Sequence, residues 1–145
     1  MAASPTSFAE VQREAEVPES AESEVAGPPP LREAGSATID DFDRIDMRVG
    51  RIVAVEPFPE ARKASYRMTI DFGPGGTRRS SAQLPGTYPD PQALVGRLIV
   101  AVVNFAPRRI AGFSSEVLIL GALPADGSIP LLGVDPGAQP GDPIG

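Results

Sequence analysis

The chain has 145 residues, with 19 acidic against 13 basic side chains, a net charge of −6 and a pI near 4.6, which is the size of one domain. It contains no cysteine, histidine or tryptophan. That excludes disulfide scaffolds, thiol nucleophiles, Cys/His zinc sites and every catalytic scheme in which an imidazole carries the proton. Fifteen glycines and 17 prolines favour short elements joined by tight turns over long helices.

The acidic excess sits at the N-terminus. Residues 1–38 carry Glu10, Glu14, Glu16, Glu19, Glu22, Glu24 and Glu33 against Arg13 and Arg32, leaving −1 of the net −6 for residues 39–145. With Pro28-Pro29-Pro30 and only Phe8, Val11, Val17, Val25 and Leu31 as large apolar groups, residues 1–37 bury too little to offset their ordering entropy and read as a disordered acidic tail. Such a tail either keeps itself solvated or competes for the arginines of the domain. The start, Met-Ala-Ala-Ser-Pro-Thr, has neither the basic residues nor the apolar run of a targeting segment. The longest apolar runs, 98–103 and 117–120, fall far short of the ~18 residues of a membrane span. The expectation is a soluble, cytoplasmic protein.

Residues 38–145 read as one domain. Thr38 or Asp40 can cap a short helix through about Met47, with Asp40, Asp41 and Asp43 near its positive end. Arg48–Phe58 reads as a first strand. Ser65–Phe72 alternates Tyr66, Met68, Ile70 and Phe72 with Ser65, Arg67, Thr69 and Asp71, the pattern of a half-buried strand. Gly73-Pro74-Gly75-Gly76 turns the chain into a third strand, Thr77–Leu84, making a hairpin. Pro85–Pro91 is a loop, with a single helical turn over Asp90–Leu94. Arg97–Phe105 and Glu116–Leu123 are apolar runs of the kind found in strands buried on both faces, and Ile129–Val134 reads as a last short strand. Five or six short strands with one small helical insertion after the third predict an all-β fold: a Greek-key barrel of the OB-fold type, with a short N-terminal helix.

Three segments invite a chemical reading. Asp40–Asp46 looks like a calcium loop, but Asp46 stands where the central glycine belongs, so the acids read as helix caps. The Gly73–Gly76 cluster lacks the Gly-Lys-Ser/Thr and helix of a phosphate loop. Asn104–Glu116, read as a loop, is different. Pro107 and Gly112 serve the turn, but two adjacent arginines, Arg108 and Arg109, are forks suited to phosphate or carboxylate, with Ser114 and Ser115 as small hydroxyl partners. Arg78 and Arg79 add two guanidiniums, of which only one faces any given side of a strand. For an isolated arginine pair, solvation or surface ion pairing is the better explanation; in an OB barrel the balance changes, because strands two and three are the usual ligand face, where Arg67, Arg78 or Arg79 could lie. Aromatics for base stacking are few: Tyr66, Phe72 and Phe105 suit the core, leaving Phe113 and Tyr88. No serine has an imidazole base, and Lys63 is the single lysine of the domain, so an enzymatic reading is weak.

In the segments Ile39–Asp43, Asp46–Val53, Phe58–Arg62, Ile70–Gly73, Ser80–Gln83, Val102–Phe113 and Ser115–Gly121, the domain resembles the tRNA-binding-domain family, the OB-fold module also appended to methionyl and phenylalanyl tRNA synthetases. Within it the likeness is greatest to a free-standing export-chaperone branch. The resemblance implies an OB barrel without catalytic activity or cofactor, a homodimer, and a surface bordered by Arg62, Arg78, Arg79, Ser80, Ser81, Asn104, Pro107, Arg108, Arg109, Gly112, Phe113 and Ser114. It implies unfolded precursor proteins or peptides as partners, with tRNA as the alternative. The Gly/Pro-rich C-terminal tail and the helix, both outside the barrel strands, are the expected dimer contacts. The acidic tail lies outside the family pattern.

Overall fold

The computed structural model describes residues Gly27–Gly145. The acidic segment expected to be disordered falls, for residues 1–26, outside the described residues; its remainder, 27–37, is exposed almost throughout and forms no helix or strand.

Helix α1 (Ile39–Asp43) starts at a reciprocal cap in which the Asp41 N–H donates to the Thr38 hydroxyl (3.2 Å) and the Thr38 N–H to the Asp41 carboxylate (2.9 Å), satisfying two of the donors a helix start leaves open. The helix ends at Asp43, short of the expected Met47. The reason lies downstream: the Asp46 N–H donates to the Asn104 side chain and the Val103 N–H to the Asp46 carbonyl, which pulls the chain straight into β1 (Met47–Pro57).

Five strands form the main sheet, in the order β3 (Thr77–Ala82), β2 (Tyr66–Asp71), β1, β4 (Leu98–Val102), β7 (Leu118–Ile119), all antiparallel. Strand β1 serves both halves. Met47–Arg51 pair with β4, Arg51–Pro57 pair with β2, and the register shifts between Ile52 and Ala54, a bulge that bends the strand as a barrel corner requires. On the flank that β2 leaves free, the C-terminal segment pairs with β1: Val49 N–H donates to Asp142 O (2.9 Å), Gly141 N–H to Val49 O (2.8 Å) and Ile144 N–H to Met47 O (3.0 Å). Few bonds close the barrel between β3 and the chain before β7, among them Glu116 N–H to Arg79 O (2.8 Å) and the Ser80 hydroxyl to Val117 O (2.8 Å). The fold is the expected OB-type barrel.

The core lies inside the barrel, built from Ile52, Met68, Ile70, Phe72, Leu84, Leu94, Ile99 and Ile119. The predicted alternation of the second strand is observed, with Tyr66, Met68 and Ile70 buried and Arg67, Thr69 and Asp71 half-buried. Leu94 enters on a single 3-10 turn, Pro91–Leu94, capped by the Asp90 side chain. Gly50 permits the closest approach: a Cβ there would stand 2.5 Å from Ile70 Cγ2.

Five further expectations are corrected. The fourth strand stops at Val102, and Phe105, assigned to the core, is 41% exposed. The run 116–123 yields only Leu118–Ile119 as strand. Ile129–Val134 is no strand: Pro130 has no N–H to donate, so the segment keeps only isolated links, Ala122 N–H to Pro130 O and Leu132 N–H to Leu120 O. Finally, the Asn104–Glu116 loop contains a hairpin, β5 (Arg108–Ile110) and β6 (Phe113–Ser115).

Candidate functional site

The hairpin depends on its two turn residues. Ala111 and Gly112 both have positive φ, 49° and 81°, the conformation a two-residue turn needs if its twist is to match the flanking strands. Three-residue strands do not hold themselves; this pair is fastened to the barrel through β6. The Ser81 N–H donates to the Ser115 hydroxyl (3.1 Å), and Phe113, 8% exposed, lies against the outer face of β2 and β3. There its ring meets Phe58 edge-on at 5.4 Å, with the Arg79 guanidinium at 4.6 Å and the Arg67 guanidinium at 6.0 Å; Arg67 also stands 5.1 Å from Phe58. This is a second, smaller core outside the barrel, built from two rings and two cations. Arg67 donates to Glu56 at 3.4 Å, while its Nε is buried with no hydrogen-bond partner among the described residues.

Docked this way, the hairpin forms one wall of an open groove of about 420 Å³. The wall presents Arg108, Arg109, Ile110 and Ala111. Opposite lies the β1–β2 loop with Glu60, Ala61, Arg62 and Lys63, and the floor is the end of β3 with Ser81 and Gln83. Among the described residues the lining holds the side chains of Arg62, Lys63, Arg108 and Arg109 and the carboxylate of Glu60, on a domain whose net charge is slightly negative. Forks of this kind bind carboxylates or phosphates, while Ala61, Ile110 and Ala111 supply small apolar surface. Among the described residues no group of His, Cys, Asp and Glu side chains is placed to hold a metal ion, and no helix is long and apolar enough to cross a membrane.

The expected site residues separate into distinct places. Arg62, Ser81, Arg108 and Arg109 line the groove. Gly112 forms the hairpin turn, Ser114 pairs with Arg109 across the hairpin, and Pro107 is exposed just before β5. Phe113 is buried in the aromatic cluster with the exposed Arg79 guanidinium 4.6 Å from its ring, so Phe113 offers no open ring face for stacking. Ser80 is 1% exposed and spends its hydroxyl on Val117 O. Asn104 is elsewhere, its side chain tying the Arg44 carbonyl (2.9 Å) and the Asp46 N–H (2.9 Å) beside α1. Arg78 folds back on the glycine turn, bonding Gly75 O at 2.9 Å, and borders a separate cleft with Arg48 and Phe72. In that cleft Arg48 is paired with Asp46 at 2.6 Å, a contact that raises the guanidinium pKa. The other expected stacking residue, Tyr88, faces Arg97 at 5.2 Å and accepts the Leu131 N–H.

Sequence reasoning did not single out Phe58 and Arg67 as the partners of Phe113, nor Lys63 and Gln83 as groove residues. A signal existed for Arg67: the alternation of β2 puts it on the outer face, and the register sets it opposite Ser81, with Thr69 opposite Arg79.

The chain matches the family model described as "Putative tRNA binding domain" over residues 47–143. It is 44% identical over 113 residues to the methionine–tRNA ligase of Neisseria meningitidis, a match that takes in 77% of this chain but 16% of the ligase. Two solved structures are similar: chaperone CsaA from Bacillus anthracis, at 44% identity and a TM-score of 0.72 over 77% of this chain and 100% of that one, and the CsaA chaperone protein from Picrophilus torridus, at 47% identity and a TM-score of 0.70 over 75% and 99%. With the family model matched over residues 47–143 and relatives at 44–47% identity, the chain belongs to the tRNA-binding-domain family.

Proposed function

We propose that the protein is a non-enzymatic, cytoplasmic binding protein of the CsaA type that holds unfolded precursor segments in the groove between the hairpin and the β1–β2 loop. The observation that carries this reading is the lining: four cationic heads above small apolar side chains, with the aromatic rings turned inward. An extended polypeptide has carbonyls and carboxylates for Arg62, Lys63, Arg108 and Arg109, and side chains for Ala61, Ile110 and Ala111. The likeness to CsaA chaperones along their length supports it. A homodimer doubles the number of grooves per particle and strengthens weak holding by valency. The helix and the C-terminal segment, which meet in a shallow cleft with Phe42 and Ile144, are the surface we assign to it.

A second reading is favoured by the same four cations: tRNA phosphates are equally suited to them, as the family description suggests. Salt separates the two. Phosphate binding weakens steeply as salt rises, whereas apolar burial responds little. Fluorescence anisotropy of an unfolded precursor peptide and of bulk tRNA, each across a salt series, is the test. Peptide binding that survives high salt supports the holding function. Steeply salt-dependent tRNA binding without peptide binding replaces it with the RNA-binding module.

A further inference from the structure

We infer that the open edge of β5 takes an extended segment of the held polypeptide as an added strand, so that the groove recognises main chain rather than side chains. This rests on the holding function proposed above and names the part of the client that is read. A two-residue turn makes its flanking pair, Ile110 and Phe113, a hydrogen-bonded one, and such pairs alternate along an antiparallel ladder. With the register Arg108↔Ser115, Arg109↔Ser114 and Ile110↔Phe113, the N–H and C=O of Arg108 and Ile110 turn inward to β6. Those of Arg109 turn outward.

The two outer edges of the hairpin differ. On the β6 side, the Glu116 N–H donates to Arg79 O (2.8 Å) and the Arg79 N–H to the Glu116 carboxylate (2.8 Å), so that edge is joined to β3. On the β5 side, neither main-chain group of Arg109 has a hydrogen-bond partner among the described residues. Four consecutive residues, Arg108–Ala111, line the groove, although side chains along a strand point alternately to its two faces. What the four share is the edge, so the edge faces the groove. An unpaired N–H and C=O on a strand edge are a template for a further strand.

The occupant follows from what this edge excludes. A second copy pairing symmetrically there would set the two Arg109 side chains directly opposite each other, and like charges so placed destabilise a strand pair. A folded protein has its own amides paired. An unfolded segment brings free donors and acceptors, and an extended one presents them along one side at every second residue. Recognition of this kind asks nothing of the client's side chains.

Two variants of the full chain separate main chain from side chain. Arg109→Ala and Arg109→Pro both lose the guanidinium, but only proline loses the N–H, and an edge strand accepts proline where its N–H serves no ladder bond. By fluorescence anisotropy the proline variant is expected to bind an unfolded precursor peptide ~2–10-fold more weakly than the alanine variant, the effect of one lost hydrogen bond. Slow exchange of the Phe113 amide in both variants checks that the hairpin is kept. Where proline loosens it, the parent chain is titrated with copies of the peptide methylated at one main-chain nitrogen at a time. Losses of affinity are then expected at alternate nitrogens, because only one side of an extended segment meets β5. Equal affinities of the two variants with the hairpin kept, or methylation losses without alternation, overturn the proposal and leave the holding function in place. A peptide that does not bind the parent at all overturns both. Self-association of the parent that Arg109→Ala retains and Arg109→Pro abolishes puts a second copy on the edge and overturns the proposal too.

Discussion

Replacing Phe113 by alanine tests the link between the small outer core and the groove. The ring is 8% exposed and meets Phe58, Arg67 and Arg79 within 4.6–6.0 Å. Removing a buried phenylalanine costs about 3–5 kcal/mol in a closed core. Here the site lies at the edge of the structure, so the low end, about 3 kcal/mol, is the working figure. Because β5 and β6 have three residues each and do not stand alone, that loss falls on the docking of the hairpin rather than on the barrel. Three kcal/mol is more than two powers of ten in an opening equilibrium, so hydrogen exchange of the amides in Arg108–Ser115 is expected to quicken by ~100-fold. Amides of Ile70 and Ile99, deep in the barrel, should keep their rates. Phe113→Leu retains most of the apolar volume and loses the ring contacts, worth about 1 kcal/mol, so it should quicken hairpin exchange far less. Binding of the peptide probe should weaken with the hairpin, since Arg108 and Arg109 lose their position. Unchanged exchange in Phe113→Ala, or uniform acceleration through the barrel, would refute this division of the molecule.

Gly50→Ala should destabilise the barrel itself, because the new Cβ would stand 2.5 Å from Ile70 Cγ2 and 2.8 Å from Phe72 Cε1; overpacking of this kind costs about 1–3 kcal/mol, and thermal unfolding should show a Tm lower by ~4–8 °C for each of them. The joint Arg108→Ala and Arg109→Ala substitution should flatten the salt slope of any tRNA binding by about one unit per lost phosphate contact, read by anisotropy at four salt concentrations; an unchanged slope would remove these residues from that surface. The cap of α1 carries a pH dependence. Asp41 is held below its ordinary value of 3.8 chiefly by the Thr38 N–H, then by the Thr38 hydroxyl and the charge of Arg44. A lowered carboxyl pKa stabilises the fold above the unfolded value and loses that contribution as pH falls through the folded one. Amide shifts of residues 38–44 should therefore titrate at a lower pH than an ordinary aspartate, and Thr38→Ala, which keeps the N–H but loses the hydroxyl, should raise the Asp41 midpoint part of the way back.

The strands that were legible in the sequence are those in which a period-2 pattern coincides with burial. Tyr66, Met68, Ile70 and Phe72 alternate and are all buried, and the glycine turn that follows has no other use. The hairpin was not legible, because its turn is Ala111-Gly112 and alanine is rarely found at positive φ; the sequence there shows Pro107 and Gly112, which suit a loop as well. Ile129–Val134 misled for the opposite reason: its apolar residues suit a strand, and the missing donor of Pro130 acts only once a neighbouring strand needs it. In the site, Arg108 and Arg109 stand out in the sequence because a turn does not require them. Arg62 and Ser81 were named only through the family resemblance, and Lys63 and Gln83 were hidden, since only barrel closure brings the β1–β2 loop and the end of β3 to one groove. Phe113 and Ser80 show the limit of reading residue type alone: one ring is turned inward against arginines, and one hydroxyl is used up on a carbonyl.

The groove as the holding surface is tested most directly by mapping amide chemical-shift changes on the full, isotope-labelled chain as an unfolded precursor peptide is added. The account expects the changes to centre on residues 60–65, 81–83 and 108–111, with the barrel interior and the Arg48–Asp46 cleft unaffected. Changes centred instead on that cleft, or on α1 and the C-terminal segment, would contradict it.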